Sequence, residues 1–263
     1  MDQRYQALCD RLSAHQAVAV AFSGGADSTL MLATARNALG ADHVIALTAV
    51  TPYMVREEIG DAIGIAAELG VRHELVEMDM PEGMESNPPD RCYRCKHGMY
   101  GLLRARAAEL GFQILLDASN IDDLDDFRPG LRATRELGIG SPFIEDGIGK
   151  DMIRGVSKEL GLPTWRKPTN ACLLTRLRFD ERVSMERLQQ IEEAERFLSA
   201  RGFNWVRVRS HGDLARLEVA PDERERLLQD ADAIHAGIRA FGFRYVSVDL
   251  IGYQLGSMNE PVD

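Results

Sequence analysis

Two stretches of the chain set reactive side chains at a spacing that suits chemistry. In "RCYRCKHG", Cys92 and Cys95 form a C-x-x-C; in "AFSGGADST", two glycines lie between two serines. A C-x-x-C can be half a tetrahedral zinc site, a redox dithiol, a pair of iron–sulfur ligands or two unremarkable thiols, and it needs partners elsewhere to be decided. The chain has four cysteines. Cys172, in "KPTNACLLTRLRF", is a third thiol far along the chain, and His97 lies next to the pair. Cys9 falls in an amphipathic first helix and reads as packing. Cys92, Cys95 and Cys172 with a fourth ligand would suit zinc; three thiolates alone would suit a cubane cluster that leaves one iron without a protein ligand.

In the glycine loop, Gly24 and Gly25 let the backbone approach an anion with no side chain in the way. The helix beginning near Asp27 aims its first N–H groups at the same spot, and Ser23 and Ser28 add hydroxyls. This is a phosphate cradle by construction, although it lacks both the G-x-x-x-x-G-K-[ST] lysine and the G-x-G-x-x-G spacing. The plainer alternative is a tight strand-to-helix turn with a capping residue, in which Asp27 only favours the helix macrodipole. A third stretch, "DASNIDDLDDFRPG", offers Asn120, Asp122 and Asp123, a composition that would also make an Asx-rich turn.

These residues need a scaffold, and short apolar runs alternating with helical segments supply one. Residues 17–23, 43–50, 72–78 and 112–119 read as strands. The near-continuous apolar character of the first, second and fourth suits strands covered on both faces, so a doubly wound parallel α/β sheet is expected. Such a sheet places ligands beyond the carboxyl ends of its strands, which brings the 120–123 segment to the mouth that holds the glycine loop. After about residue 180 the pattern becomes helix, two strands, helix, strand, which predicts a smaller α+β unit with an antiparallel sheet. The expected division is 1–178 and 179–263, with the boundary near residues 175–183. No internal repeat and no low-complexity tract interrupts this order.

The composition narrows the partners. A chain of 263 residues with 45% hydrophobic content can build sizeable cores. A net charge of −10 argues against broad adhesion to nucleic acid or anionic membrane and favours a small-molecule partner. The N-terminal stretch lacks a basic-then-apolar signal pattern, and no apolar run approaches the roughly 20 residues of a spanning helix. A cytoplasmic location is expected, where cysteines are thiols or metal ligands rather than a disulfide framework.

The hexad "SGGADS" resembles the S-G-G-x-D-S signature of the PP-loop ATP pyrophosphatases, with all five fixed positions matched. The resemblance implies an adenine nucleotide alpha hydrolase-like fold and cleavage of ATP between its α and β phosphates. Ser23, Gly24, Gly25, Asp27 and Ser28 would then hold the pyrophosphate end, with Mg²⁺ bridging the phosphates. The "ASNIDD" segment keeps the Asn and both Asp of that group's G-T-N-x-D-D, which implies ribose or metal contacts from Asn120, Asp122 and Asp123. A narrower resemblance follows from "NPPDRCYRCKHGMY", "DDFRPGLRATRELGIGSPF", "KDMIRGVSKELGLPTWRKPTNACLLTR", "RVRSHGDLARLEV" and "GFRYVSVDLIGYQLGSMN". In this order they look like the blocks of the LarE family of ATP-dependent sulfur transferases. Members adenylate a carboxylate of a pyridinium mononucleotide and replace its oxygen with sulfur, for the nickel-pincer nucleotide cofactor. The family implies two sulfur sources: a single cysteine in the position of Cys172 that gives up its own sulfur, or a 4Fe-4S cluster on three cysteines matching Cys92, Cys95 and Cys172. The presence of all three favours the cluster.

The substrate of such a reaction carries a phosphate, for which guanidinium groups are natural partners. Arg176 lies four residues beyond Cys172, and Arg207 and Arg209 alternate so as to reach one face of a strand. The resemblance places substrate-phosphate or catalytic arginines in these blocks; spacing alone would equally suit the solvated face of a half-buried strand. Glu195 and Glu218 match family acidic positions, although an isolated Glu on an amphipathic helix usually faces water. "CLLTR" departs from the family's C-L-A-S-R, which leaves the role of Thr175 open. A homo-oligomer is an expectation of the family. A competing reading is a PP-loop tRNA thiolase with three cluster cysteines, against which the acidic charge and the lack of a basic extension count. A non-catalytic nucleotide or zinc sensor would leave the hexad and the cysteines needing separate explanations.

Overall fold

The computed structural model of the chain describes residues 2–124, 130–168, 170–203 and 205–254. Residues 125–129, 169 and 255–259 of the quoted blocks lie outside the described residues. The chain divides into two compact units, Met1–Pro81 with Asp90–Asn170, and Glu82–Pro89 with Ala171–Asp263.

In the first unit the order is α1 (Gln3–Ser13), β1 (Val18–Ala21), α2 (Ala26–Leu39), β2 (Val44–Val50), α3 (Arg56–Glu68), β3 (Arg72–Glu77), α4 (Arg91–Glu109), β4 (Leu115–Leu116), α5 (Gly130–Glu136), α6 (Pro142–Glu145) and α7 (Lys150–Glu159). A helix separates each strand from the next, and a helical crossover returns the chain in the same direction, so the four strands pair in parallel. Their spatial order is β3-β2-β1-β4. Strand order therefore reverses beside β1, and the switch point lies between β1 and β4, where an open sheet leaves its ligand crevice.

Alternation along the strands builds both faces. Val18, Val20, Val44 and Ala46 join Leu8, Leu12, Leu30, Met31 and Ile153 from α1, α2 and α7. Ala19, Ile45, Leu47 and Ala49 turn the other way, onto Tyr100, Leu103 and Ala107 of α4. Those three recur on one stripe of α4, which is why this long helix lies on the sheet. The expected strand over 112–119 shrinks to Leu115–Leu116. Beyond it Asp117 N donates to Gly140 O and the Asp117 carboxylate accepts from Ser119 N, an Asx-type turn that peels the chain out of the sheet.

In the second unit α8 (Met185–Ser199), β5 (Arg207–His211), β6 (Leu214–Glu218), α9 (Arg224–Gln229), α10 (Ala231–Ala240) and β7 (Tyr245–Val248) surround a separate core. Ser184 caps α8 by accepting from Arg187 N, and Leu188, Ile191, Ala194 and Leu198 form its buried stripe. The sheet is mixed rather than antiparallel. A tight turn at Gly212 and Asp213 makes β5 and β6 antiparallel, but α9 and α10 form a crossover that delivers β7 parallel to β6. Residues 82–89 belong here because Asn87 Nδ2 donates to the carbonyls of Leu174, Leu177 and Arg178 at 3.2, 3.3 and 2.7 Å, and Val183 N donates to Glu85 O at 2.7 Å. Among the described residues no helix is long and apolar enough to cross a membrane.

Candidate functional site

At the switch point of the first unit the glycine loop passes from β1 into α2. Gly24 takes φ +70°, a conformation that costs glycine least, and Gly25 is the residue before the helix. A Cβ on Gly24 would stand 3.0 Å from the backbone of Ala62, so the loop lies flat against α3. Ser23 Oγ is 3.0 Å from Ser28 Oγ and accepts from Gly25 N at 3.3 Å. These hydroxyls and the first turn of α2 line a cavity of about 270 Å³, which also takes in Asp27, Thr48, Lys96, Tyr100, Asp117 and Asp123.

Asp27 projects from the first turn of α2 towards the segment after β4, where Asn120 Nδ2 donates to its Oδ2 at 3.0 Å. Burial raises the Asp27 carboxyl above its ordinary value and the charge of Asp123 adds to this; Lys150, Arg154 and the Asn120 hydrogen bond pull the other way. Asn120 and Asp123 lock their turn reciprocally, Asn120 Oδ1 accepting from Asp122 N and Asp123 Oδ2 from Asn120 N. Asp122 does something different from its neighbours. Its Oδ2 accepts from Lys150 N at 2.6 Å and caps α7, and a Cβ on Gly149 would fall 2.7 Å from that oxygen.

Lys150, Asp117, Lys167 and Tyr53, which the sequence motifs do not single out, belong to this region. Lys150 Nζ stands 3.5 Å from Asp123; a lysine in the first turn of a helix opposes the macrodipole, and that misfit was the signal available in the sequence. Asp117 is buried and accepts from Tyr100 Oη, Ser119 Oγ and Ser141 Oγ at 2.9, 2.6 and 2.7 Å, tying α4, the β4 turn and the start of α6 together. Burial and the Asp117 charge push the Tyr100 hydroxyl well above its ordinary value, so it stays a donor. Lys167 contacts the glycine loop from outside, and Tyr53 Oη donates to Cys95 Sγ at 3.1 Å. Each is a lone residue in a loop or helix with no periodic or spacing signature.

Cys92 and Cys95 sit on the first turns of α4, three residues apart and hence on one face. Cys92 is exposed and Cys95 half-buried. His97 instead packs its ring against Tyr93, 5.7 Å between centroids. The third thiol, Cys172, belongs to the second unit and precedes a turn of 3₁₀ helix at Leu173–Arg176. By donor type, each of the three thiols is one that an iron–sulfur group takes as a ligand. Among the described residues neither unit by itself gathers three or more His, Cys, Asp or Glu side chains into a metal-holding group.

The second unit has its own charged centre. Arg176 is fully buried and pairs with Glu195 through two contacts of 2.9 Å, while its Nη1 donates to the carbonyls of Ala171 and Cys172 at 2.7 and 3.2 Å. Thr175 Oγ1 accepts from Arg176 Nη1 at 2.9 Å and donates to Cys172 O at 2.8 Å, so this residue too holds the Cys172 backbone. Glu195 accepts in addition from Val208 N at 2.9 Å. Burial alone would raise its carboxyl, yet the Arg176 guanidinium, helped by Arg207 and Val208 N–H, holds it below the ordinary value. The alternative of a solvated arginine face fails: Arg207 and Arg209 are 8% and 4% exposed. Arg209 donates to Glu218 from Nε and Nη2 at 2.9 and 2.7 Å and to Thr175 O at 2.9 Å, and Glu218 also pairs with Arg216 at 3.0 Å. Burial, and then repulsion from Arg176, lower the Arg207 guanidinium. A fixed anion bound beside Arg176, Arg207 and Arg209 would relieve that repulsion.

A family model described as NAD synthase matches residues 5–90. An uncharacterized protein of Synechocystis is 42% identical over 245 residues, 91% of each chain. The pyridinium-3,5-bisthiocarboxylic acid mononucleotide synthase of Lactiplantibacillus plantarum is 36% identical over 249 residues, covering 94% of this chain and 90% of its own. An uncharacterized protein of Methanocaldococcus jannaschii is 32% identical over 237 residues, 90% of each chain.

Proposed function

Because this chain belongs to the LarE family and is an ATP-dependent enzyme, we propose that it adenylates a carboxylate of a pyridinium mononucleotide and exchanges the activated oxygen for sulfur, making a thiocarboxylate for the nickel-pincer nucleotide. The observation that carries this reading is the meeting of the "SGGADS" loop with Asn120 and Asp123 at the switch point of the sheet, where Asn120 reaches Asp27 at 3.0 Å. Ser23, Gly24, Gly25 and Ser28 offer hydroxyl and backbone donors to the β and γ phosphates. Asp27 and Asp123 would hold the Mg²⁺ that accompanies ATP, and Lys150 adds a cation beside them. A substrate carboxylate oxygen attacks the α-phosphorus, pyrophosphate leaves, and the carboxyl becomes an acyl-adenylate from which sulfur can displace AMP.

In the second unit Arg207 and Arg209 are assigned to the phosphate of the mononucleotide. Their buried guanidiniums are already oriented, Arg209 by Glu218, so little side-chain entropy is lost on binding. Arg176, clamped by Glu195, fixes the backbone of Cys172 through two carbonyls. Cys92, Cys95 and Cys172 would hold a 4Fe-4S cluster, and such a group would supply sulfide for the transfer. Support for the cluster is the donor set of three thiols.

Anaerobic purification with iron and sulfide measured per chain, followed by intact mass after turnover, tests the sulfur source. About four irons per chain and an unchanged polypeptide mass are expected. An active, iron-free protein that loses one sulfur per turnover would transfer the role to sacrifice of Cys172. AMP and pyrophosphate release is expected with the pyridinium carboxylate nucleotide and not with unmodified tRNA; the reverse dependence would make the protein a tRNA thiolase.

A further inference from the structure

We propose that Lys167 is a positioning residue of the ATP site, which with Glu58 and Asp61 pins the carbonyl side of the glycine loop so that its N–H side faces the phosphates. Lys167 Nζ donates to Gly24 O at 3.2 Å and to Asp61 Oδ2 at 2.7 Å, and it lies 2.8 Å from Glu58 Oε2. Among the described residues no peptide bond is cis, and in a planar trans peptide the C=O and the following N–H point to opposite sides. Drawing the Gly24 carbonyl towards Lys167 therefore sends Gly25 N–H the other way. That N–H meets Ser23 Oγ at 3.3 Å, on the side where Ser23 and Ser28 line the cavity.

The loop needs an outside hold. Gly24 has no side chain, and glycine leaves φ +70° more readily than any residue that could be locked by packing. Ala62 blocks one direction, and Lys167 supplies the polar contact. The lysine is held in turn: its side chain is 17% exposed, and Asn170 Nδ2 donates to the other oxygen of Glu58 at 3.2 Å. Burial would lower its ammonium, but the hydrogen bonds to Asp61 and Glu58 keep it above its ordinary value, so it is charged at neutral pH. The same charge offsets two carboxylates that would otherwise repel a polyphosphate at short range. The inference rests on ATP binding at this loop and is independent of the sulfur source.

The test uses the full-length protein with Mg²⁺ and α,β-methylene-ATP, which cannot be cleaved between those phosphates, in calorimetry. Steady-state AMP release with the pyridinium carboxylate nucleotide is measured beside it. K167M is expected to bind the analogue at least about tenfold more weakly and to raise KM for ATP in proportion. Its kcat at saturating ATP and its KM for the nucleotide substrate should stay within about twofold, and K167R should recover most of the loss. A lysine that served the fold alone would lower the melting temperature and kcat without singling out ATP. Analogue binding by K167M within twofold of wild type, or a fall in kcat with KM for ATP unchanged, would overturn the proposal. So would a K167R that melts like wild type yet binds no better than K167M. Failure of the wild-type protein to bind the analogue is a separate outcome, which would overturn the ATP reading of the loop together with the proposal.

Discussion

Asp27 carries a charge that the fold holds at a cost. Its carboxyl lies above the ordinary 3.8 because burial and Asp123 disfavour the anion. A raised carboxyl binds more protons folded than unfolded, so its contribution is favourable below 3.8 and is lost as pH rises through the folded value. Asp27→Asn should therefore melt higher than wild type at neutral pH, with the difference closing below 3.8, while adenylation falls more than about hundredfold. Melting curves across pH and pyrophosphate release check both halves, and equal stability at neutral pH would contradict the argument. The thiols separate in the same way. Cys9 packs against the core of the first unit, so Cys9→Ala should cost about 1 kcal/mol of stability and leave sulfur transfer intact. Cys172→Ala should abolish thiocarboxylate formation yet still release pyrophosphate when substrate is present, because ATP activation does not use the thiol, whereas AMP stays on the acyl-adenylate that sulfur would displace. Residue type and spacing made these cysteines legible. Glu195 was marked by the family resemblance alone, since an acidic residue on a helix looks the same in sequence whether it meets water or a buried Arg176.

Elements fix what single residues can do, and the glycine loop depends on α3 behind it. Gly24→Ala would force both a left-handed alanine and a Cβ 3.0 Å from the Ala62 backbone, where only movement of the helix can make room. The expected result is a loss of about 1–3 kcal/mol in denaturant unfolding and of most ATP affinity. Wild-type affinity in that variant would mean that the loop tolerates displacement. In the second unit, α8 and β5 are joined by Glu195, which pairs with Arg176 and accepts from Val208 N. Glu195→Gln leaves the Arg176 charge buried without its carboxylate and should cost about 3–5 kcal/mol. The carboxyl lies below its ordinary 4.5, so the pair's contribution is complete above 4.5 and is lost as pH falls through the folded value. Urea unfolding at neutral and acid pH should show the Gln variant and wild type converging as pH drops. Apolar runs revealed β1 and β2 because they are buried on both faces. They overstated β4, where an Asx turn ends the strand, and they could not show that β7 runs parallel to β6, since direction is set by the crossover and not by the strand's own residues.

At the scale of the molecule, the chain passes between its units three times, at Pro81–Glu82, Pro89–Asp90 and Asn170–Ala171. A change of composition near residue 180 is visible in sequence; an excursion of eight residues, Glu82–Pro89, is not, because it has no periodicity of its own. What ties it down is Asn87, buried at φ +50° with Nδ2 directed at three carbonyls of residues 174–178. A chain ending at Asn170 would remove those carbonyls and the Val183 N–H that meets Glu85 O, leaving Met84 and Asn87 without the surroundings that bury them. The core of the first unit draws its residues from Tyr5 to Leu162 and needs none of the deleted segment. Amide hydrogen exchange on the shortened chain should therefore keep slow exchange in β1 and β2, while residues 84–87 exchange at nearly the rate of unfolded chain. Loss of protection in β1 and β2 as well would show that the two units unfold as one cooperative block, and that the parallel sheet carrying the ATP loop needs the second unit to fold.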